Sequence, residues 1–273
     1  DAIAKLESLA GAKINSKPNG KPTEHSNESG NTNTPSKTNT VDLTPQVMGW
    51  YDSMMESLEK KELLARFCID RKIDARLALS NKMSVMTDYH GNNRVVLPVF
   101  KDGKCVWYTQ RLLDENSNAP KYSNPKDVSI AFFNIDYLNQ EHDTPIFLTE
   151  GMIDAMNLEQ LGYKAISTNS TSNLDEFIEL FKQSKASGTT LIGAYDNDGA
   201  GMKASEKLRS LGYSTITIPT IEGVTLKDIN DWFKYCFKDV KQVTEQDLDN
   251  SSIKLSIDSQ IASMGKENNV LSY

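Results

Sequence analysis

The sequence lacks the features that mark membrane proteins and secreted proteins. None of its apolar runs reaches the roughly 18 residues that a membrane-spanning helix requires. The N-terminus carries no basic stretch followed by an apolar one, so a secretory signal is not predicted. We therefore expect a cytoplasmic protein that has no membrane partner.

Cysteine and histidine are also scarce, with three of each in 273 residues. Cys68, Cys105 and Cys236 are too far apart for a disulfide framework or a paired zinc site, and three reduced cysteines are the simpler interpretation. The histidines are equally dispersed, which gives no support to a histidine metal site or to a Ser-His-Asp hydrolase. Zinc is therefore not expected in this chain.

A basic excess is missing too, because 30 Lys and Arg residues face 37 Asp and Glu residues, for a net charge of −7. Proteins that bind duplex nucleic acid strongly usually carry excess positive charge, since their affinity comes from releasing counterions from phosphates. Composition alone therefore argues mildly against a nucleic-acid ligand. A few well-placed cations can still hold a strand loosely, and carboxylates in a metal site lower the net charge.

What is present divides the chain into five segments. Residues 1–12 have helical spacing and fit the end of a preceding module, whereas residues 13–40 are rich in Asn, Ser, Thr and Pro and predict a flexible linker. Residues 41–143 mix helical and strand patterns and predict an α+β subdomain. Residues 144–240 alternate strand and helix and predict an α/β domain, and residues 241–273 form a polar tail to which the sequence assigns no element.

In the α+β segment, the spacing of apolar residues predicts helices over about 46–65 and 73–79. Runs rich in Val, Phe, Tyr and Trp then predict strands over 94–100, 105–112 and 128–133. Asp102-Gly103 lies between the first two runs and is a strong hairpin signal. We therefore expect a small antiparallel sheet in this segment.

In the α/β segment, short apolar runs predict buried parallel strands joined by crossover helices. The strands are predicted at 145–149, 163–167, 190–195 and 214–218. The helices between and after them are predicted at 152–161, from 174, over about 201–211 and at 228–237. Leu-Gly-Tyr occurs at 161–163 and again at 211–213, each time where a helix stops before a strand. The predicted fold class is thus a parallel sheet flanked by helices, preceded by the smaller α+β subdomain.

Acidic residues follow two of the predicted parallel strands. Glu150-Gly151 comes directly after the first strand, and Asp196 and Asp198 come directly after the third. Carboxyl ends of parallel strands share one edge of a sheet, so Glu150, Asp196 and Asp198 are expected to meet there. Crowded carboxylates favour a hard cation such as Mg²⁺ or Mn²⁺, and phosphoryl transfer is the natural chemistry of such a site. The helix near Gly201 is expected to offer N–H groups to an anion.

Asp-Asn-Asp-Gly at 196–199 is also a common turn composition, and alone it does not identify a site. Its combination with Glu150-Gly151 is far more specific. Residues 147–151 with Asp154, residues 196–201 and residues 227–231 together resemble, in order and spacing, the TOPRIM domain of bacterial-type primases, topoisomerases and some nucleases. The resemblance implies that Glu150 is a general acid/base or organises metal, that Asp196 and Asp198 are metal ligands, and that Asp228 is a further metal-site carboxylate.

Three upstream segments resemble the bacterial-type (DnaG-like) primases in particular, in a phage- or mobile-element-like version. They are Asn-Arg-Val-Val-Leu-Pro at 93–98, Thr-Gln-Arg at 109–111 and Pro-Lys-Tyr-Ser-Asn at 120–124. Gln110 departs from the family, which commonly has glycine there. The residues that the resemblance assigns to nucleotide or template binding are Arg94, Arg111, Lys121, Tyr122, Asn124 and Lys203.

The resemblance implies a nucleotidyltransferase that makes short RNA primers on single-stranded DNA during replication. Its expected cofactors are Mg²⁺ or Mn²⁺, with two or more ions, and its expected partners are the template, ribonucleoside triphosphates and a replicative helicase. Such primases usually begin with a zinc-binding module, of which residues 1–12 would be the end. A Gly-x4-Gly-Lys-Ser/Thr loop does not occur, so a helicase motor is not predicted.

Two other functions compete with this one. A TOPRIM-type nuclease would use the same carboxylates to hydrolyse a phosphodiester with water, and a non-catalytic nucleic-acid-binding module would keep the fold as a scaffold. Arg111 and Lys121 favour the primase, because a nuclease needs no triphosphate pocket. Three crowded carboxylates argue against the scaffold, which has no use for them.

Overall fold

The computed structural model of the chain describes residues 41–114 and 116–270, with side chains described as far as residue 264. The predictions for residues 1–12 and 13–40 lie outside these ranges. Within them, no helix is long and apolar enough to span a lipid bilayer.

The first half combines three helices with an antiparallel sheet of four strands. The helices are α1 (Thr44–Glu56), α2 (Leu58–Arg71) and α3 (Ala75–Ser80). The strands are β1 (Ser84–Thr87), β2 (Asn93–Lys101), β3 (Lys104–Leu112) and β4 (Tyr122–Ser123), in the spatial order β1-β2-β3-β4. Asp102 and Gly103 join β2 to β3 and both have positive φ, 49° and 76°, which confirms the predicted hairpin turn.

The second half is a parallel sheet with helices between its strands. The strands are β5 (Ile146–Thr149), β6 (Lys164–Ser167), β7 (Leu191–Ala194) and β8 (Ser214–Thr215), in the spatial order β6-β5-β7-β8. The helices are α4 (Met152–Gln160), α5 (Leu174–Gln183), α6 (Gly199–Ser210) and α7 (Ile229–Cys236), with short 3₁₀ turns at Ile135–Asn139, Thr171–Asn173 and Lys185–Gly188. Every residue of β5 and β7 is buried, as expected for central parallel strands.

The repeated Leu-Gly-Tyr ends α4 and α6 in the same way. Gly162 and Gly212 have φ of 89° and 86°, which glycine adopts without steric cost. The N–H of Tyr163 donates to the Leu158 carbonyl at 3.1 Å, and the N–H of Tyr213 donates to the Leu208 carbonyl at 3.0 Å. The pattern is that of a helix closed by a left-handed glycine. The sequence prediction of both helix ends is therefore confirmed.

The two sheets share one apolar core. Val95, Leu97 and Trp107 of the antiparallel sheet belong to the same buried cluster as Phe147 and Met152 of the parallel half. Phe133 and Ser167 also exchange backbone hydrogen bonds of 3.0 and 3.3 Å across the junction. Shared burial fixes the position of one sheet relative to the other, so a site built from both halves is geometrically defined.

The structure corrects three details of the predicted first half. The helix predicted over 46–65 is two helices, because Ser57 is extended (φ −106°, ψ 117°) and its Oγ caps α2 by accepting from the Lys60 N–H. The segment 128–133 is not a strand, since its apolar side chains fill the space beside the sheets and only Phe133 makes a bridge. Strand β1 was missed because its four residues are too few to show a clear pattern.

The C-terminal tail, unassigned from the sequence, contains α8 (Glu245–Asp249) and α9 (Ser252–Val270). Ile253 and Ile257 of α9 are fully buried in the core shared by the two sheets. Strand β8 stops at residue 215, short of the predicted 218, and Thr217 instead exchanges two hydrogen bonds with the Gln260 side chain, at 2.8 and 3.2 Å. The tail therefore completes the fold.

Candidate active site

Two acidic residues lie at the carboxyl edge of the parallel sheet. Glu150 follows β5, and Asp196 follows β7 after Tyr195. The two strands are neighbours, with Thr149 opposite Ala194. The chain order reverses between them, because β6 lies outside β5 and β8 lies outside β7. Ligands of open parallel sheets bind at this reversal point. Glu150 and Asp196 line one cavity here, so the structure brings together two of the three carboxylates that were predicted to meet.

A cavity of about 430 Å³ lies between this edge and the antiparallel sheet. We call it the main cavity because it adjoins the acidic edge of the parallel sheet. The parallel half supplies carboxylates to its lining, namely Glu150, Asp154, Asp196 and Asp228. The first half supplies neutral polar groups, aromatic rings and two arginines, among them Trp107, Thr109, Tyr122, Asn124, Arg71 and Arg111. The size suits a nucleotide or a similar small ligand.

Burial and mutual repulsion act together on the carboxylates. Burial raises the pKa of Asp196 to about 7, and the negative charges of Glu150 and Asp228 add to the effect. Burial also raises the pKa of Glu150, with Asp198 as the neighbouring charge that contributes. The pKa of Asp228 is raised mainly by burial, although Arg71 opposes the shift. This wall of the cavity therefore favours either a proton or a cation.

Asp154 is a carboxylate of the cavity that sequence reasoning did not place in the site. It is buried, and burial together with Asp228 and Asp196 raises its pKa well above the ordinary value. One of its oxygens accepts a hydrogen bond of 2.9 Å from the Asn230 N–H. The motif that includes Glu150 also contains Asp154, so the motif could have identified Asp154 as a site residue.

A buried polar network lies beside Asp154. The Asn230 side-chain amide donates to Asn157 Oδ1 at 2.7 Å and to the Arg71 carbonyl at 2.9 Å. The Arg71 guanidinium in turn donates to Asn230 Oδ1 at 3.2 Å. The network fixes an arginine next to the carboxylates. Arg71 lies at the end of α2 and carries no sequence motif, so no signal in the sequence identified it.

Glu150 has a buried side-chain oxygen that lacks a partner. Among the described residues, no group donates a hydrogen bond to its Oε2. The Ser167 hydroxyl donates to the backbone carbonyl of Glu150 at 2.8 Å, which leaves the carboxylate unchanged. Buried polar atoms nearly always have a partner, and a hard cation is a fitting one for a carboxylate oxygen. The donor set thus fits a divalent cation. In the described ranges, however, no three acidic, His or Cys side chains stand at the spacing of a preformed metal site.

Asp198 lies outside the cavity lining and caps a helix. Its Oδ1 accepts hydrogen bonds of 2.9 Å from both the Ala200 and the Gly201 N–H, and the residue is exposed. The helix N–H groups that were predicted to face an anion are therefore occupied by Asp198 itself. This prediction was wrong, because the acidic residue that precedes the helix is its own N-cap.

Gly201 permits a close approach of the helix to the preceding loop. A Cβ added at Gly201 would overlap the backbone oxygen of Asp196, so a larger residue cannot be accommodated without a shift of the loop. Next to this contact, the Asn197 N–H donates to the Lys227 carbonyl at 2.5 Å. The two contacts hold the loops that carry Asp196 and Asp228 together.

Arg111 faces the carboxylates from the antiparallel sheet. Its guanidinium donates to the Tyr122 hydroxyl at 2.5 Å and lies 5.4 Å from the centre of that ring, while Lys121 lies 5.7 Å from it. Asn124 completes this side of the cavity. Arg111 and Lys121 also line a second cavity of about 360 Å³. The structure thus brings together four of the six predicted nucleotide- or template-binding residues.

Arg94 and Lys203 lie apart from that group. The Arg94 side chain is buried, forms a 2.8 Å ion pair with Asp88 and donates to the Pro120 carbonyl at 3.0 Å. Arg94 is the main reason why the pKa of Asp88 is well below the ordinary range. Lys203 is exposed on α6 and does not line the main cavity. The structure gives Arg94 a role in holding the loop before β4.

Residues 147–233 match the family described as Toprim-like. The segment runs from within β5 into α7 and includes Glu150 and the loops of Asp196 and Asp228. A search among curated protein sequences gave no significant match.

Solved primase structures share the fold of the chain. The RNA polymerase domain of Mycobacterium tuberculosis primase DnaG in complex with double-stranded DNA is 17% identical, with a TM-score of 0.53 over 79% of this chain and 81% of that one. The catalytic core of Escherichia coli primase is 16% identical, with a TM-score of 0.51 over 77% and 79%. The chain has a primase-core fold with a Toprim-like domain. The zinc-binding and RNA polymerase domains of Aquifex aeolicus primase are 16% identical, with a TM-score of 0.50, and this chain covers 61% of that protein.

The primase-core fold explains why both halves of the chain contribute to one cavity. The Toprim-like domain supplies the acidic edge, and the antiparallel sheet supplies the opposite wall. Within that wall, Trp107 and Thr109 were not predicted as site residues, because aromatic and β-branched residues in a strand are typically packing residues. Trp107, Thr109 and Arg111 occupy alternate positions of β3 and therefore share one face of the strand, and this spacing could have identified the first two as site residues.

Proposed function

We propose that the chain is a DNA primase, a metal-dependent nucleotidyltransferase that joins ribonucleotides on a single-stranded DNA template during replication. The observation that carries the proposal is the cavity in which the acidic edge of the Toprim-like domain faces Arg111, Tyr122 and Asn124. Hydrolysis of a phosphodiester needs the acidic edge alone. A second wall with a cation, an aromatic ring and neutral polar groups suits a nucleotide substrate.

Glu150, Asp196 and Asp228 are the residues that would hold Mg²⁺ or Mn²⁺, in one or more ions, with Asp154 and Asp198 adjacent. The bound cation would neutralise phosphate charge and favour attack by a hydroxyl group. Without a cation, the raised pKa of Asp196 and the unpartnered Oε2 of Glu150 leave this wall ready to accept positive charge. Helix α6 and the Asn197 contact keep the acidic loops in place.

The chain's own cations position phosphate groups. Arg111 offers a planar fork that matches phosphate oxygens, and its hydrogen bond to Tyr122 limits the orientations of the side chain. Arg71 places a second guanidinium beside the carboxylates. Lys121, at the second cavity, and Lys203, on the exposed face of α6, are proposed contacts of the template backbone. A replicative helicase is a further proposed partner, whereas Arg94 is assigned to positioning the loop before β4.

Primer synthesis tests the proposal directly. The wild type and Glu150→Gln are incubated with mixed-sequence single-stranded DNA, labelled ribonucleotides and Mg²⁺ or Mn²⁺. We expect short RNA products from the wild type and a loss of at least about 100-fold in the variant, because Gln keeps the shape of Glu and removes its charge. Glu179→Gln, on the exposed face of α5, is the matched control and should retain full activity.

Two results would contradict the proposal in different ways. Degradation of labelled DNA without RNA synthesis would indicate the nuclease. Absence of Mn²⁺ binding by calorimetry, together with absence of both reactions, would indicate a non-catalytic nucleic-acid-binding module.

A further inference from the structure

One wall of the main cavity is formed by a single face of the antiparallel sheet. Trp107, Thr109 and Arg111 alternate along β3, so their side chains project to the same side of the strand. Leu97 on β2 pairs with Thr109 and adds an apolar surface to this wall. The wall thus combines one cation at its Arg111 end with uncharged groups over the remainder.

The indole of Trp107 carries a donor without an acceptor. The side chain lines the cavity and is 98% buried, since its exposed fraction is 2%. Its Nε1–H is buried and meets no hydrogen-bond acceptor in the part of the chain that the structure describes. A buried donor without an acceptor costs folding free energy, and Tyr and Trp normally find a partner when buried.

Trp232 provides an internal comparison. It is equally buried, with an exposed fraction of 3%, but its Nε1–H is not among the buried donors that lack a partner, and the Cys236 sulfur is close enough to affect it. Like Trp107, Trp232 belongs to the apolar core shared by the two halves, but it does not line the main cavity. Of these two buried tryptophans, only the one that lines the cavity has an unsatisfied donor.

The chemistry of the wall indicates which part of a ligand it binds. Phosphate groups require cations, and the cavity offers Arg111 and Arg71, together with any metal ion that the acidic edge would hold. An indole N–H, the Thr109 hydroxyl and the Asn124 amide are uncharged, and the Tyr122 ring, 49% exposed, offers an aromatic surface. Uncharged donors and acceptors beside an aromatic ring suit a sugar and a heterocyclic base.

We propose that Trp107 and Thr109, beside the Asn124 already assigned to nucleotide binding, form a subsite for the nucleoside part of a ribonucleoside triphosphate, with the Trp107 Nε1–H donating to an acceptor atom of the base or ribose. This inference rests on the proposed function, because it assigns a place to the substrate of that reaction. It adds residues that bind the substrate away from the reacting phosphate.

Calorimetric titration with ATP in the presence of Mg²⁺ tests the subsite. Trp107→Phe keeps an aromatic ring and removes the donor together with part of the indole. Loss of one neutral hydrogen bond should lower ATP affinity about 3- to 10-fold. Trp232→Phe removes a donor of the same type from the core. It should lower the thermal midpoint and leave ATP affinity unchanged.

A second variant tests the subsite independently of any misfolding of Trp107→Phe. A second ligand tests whether a loss of affinity is specific to the nucleoside. Thr109→Val keeps the shape of the side chain and removes its hydroxyl, and it should weaken ATP binding about 2- to 5-fold. Inorganic triphosphate has no nucleoside, so it should bind the wild type and Trp107→Phe with equal affinity.

Three results would overturn the subsite: no ATP binding by the wild type, equal ATP affinity in the wild type and Trp107→Phe, or an equal loss of affinity for inorganic triphosphate. The primase proposal is judged separately from primer synthesis. Synthesis without a Trp107 effect would remove the subsite and leave the function, whereas a Trp107 effect without synthesis would remove the function and leave the subsite.

Discussion

The two halves of the molecule present opposite charges to the same cavity. The parallel half contributes four carboxylates and no cation to the lining, whereas the first half contributes both arginines and no carboxylate. The net charge of −7 conceals this separation. A ligand that combines phosphate groups with a divalent cation suits both walls at once, because each wall attracts a different part of it. The location of charges is thus more informative here than their sum.

The largest expected effect comes from the acidic wall. Asp196→Asn should lower primer synthesis at least about 1000-fold, or about 4 kcal/mol in the transition state, because it removes a charge that holds the cation. The variant should fold normally, since removing one of several repelling carboxylates relieves repulsion. Single-turnover synthesis and thermal unfolding measure the two effects.

Asp239→Asn, an exposed substitution in the same half of the chain, is the control for Asp196→Asn and should change neither quantity. A marked loss of folding in Asp196→Asn would instead mean that the aspartate serves a structural turn.

The next largest effect is on the free energy of unfolding, and it should distinguish Arg94 on β2 from Arg111 on the adjacent strand β3. Arg94→Ala should lower the free energy of unfolding by about 3 kcal/mol, because it removes a buried guanidinium that donates hydrogen bonds to the Asp88 carboxylate and to the Pro120 carbonyl. Arg111→Ala should change stability by less than about 0.5 kcal/mol and weaken nucleotide binding instead. Urea unfolding and ATP titration of both variants measure the contrast. Equal loss of stability in the two variants would show that the arginines do not have separate roles.

A smaller effect is expected at the glycines of α6. Gly201→Ala should lower the free energy of unfolding by about 2 kcal/mol, since its Cβ would overlap the Asp196 carbonyl. Gly199→Ala is a matched control two residues away, with nothing within 4 Å of its added Cβ. It should be neutral or slightly stabilising. Chemical denaturation of both variants measures the difference, and similar stabilities would show that the close contact does not exist in solution.

The smallest effect is a dependence of stability on pH. The pKa of Asp196 rises from 3.8 to about 7 on folding, so the folded state binds the proton more tightly than the unfolded state. In the absence of divalent cations, this residue should therefore lower stability progressively as pH rises from about 4 to about 7. Asp196→Asn should reduce that slope and raise the thermal midpoint at pH 8 by a few degrees.

Adding Mn²⁺ at pH 8 should raise the thermal midpoint of the wild type and not that of Asp196→Asn, because only the wild type retains the full set of carboxylates. A thermal midpoint of the wild type that stays constant between pH 4 and 8 would contradict the raised pKa.

The sequence predicts the acidic edge because the strand and helix pattern is strong there. Glu150 and Asp196 follow apolar runs that are unmistakable as buried strands, and their convergence follows from the topology of any parallel sheet. The fold class is confirmed on the same basis. The roles of the site residues remain predictions, as do the segment boundaries and the phage- or mobile-element-like origin.

The opposite wall was harder to predict because it depends on strand register. Val95 pairs with Arg111, so Arg94 projects to the other face of the sheet and cannot accompany Arg111 into the cavity. Along a strand, the side chains of neighbouring residues point to opposite faces of the sheet. Which of the two faces packs against the second half of the chain is set by tertiary packing, which the strand pattern does not show. Arg71 enters the site for the same reason, since only the packed helices bring it beside Asn230.

Helix α9 extends the structural unit beyond the segment that matches the Toprim-like family. The Toprim-like match ends at residue 233, but Ile253 and Ile257 fill the common core and Tyr163 bonds to Asp258 at 2.7 Å. A fragment cut after residue 240 would keep every acidic motif and expose an apolar groove. Recombination or protein engineering that exchanges this domain must therefore transfer the helix with it.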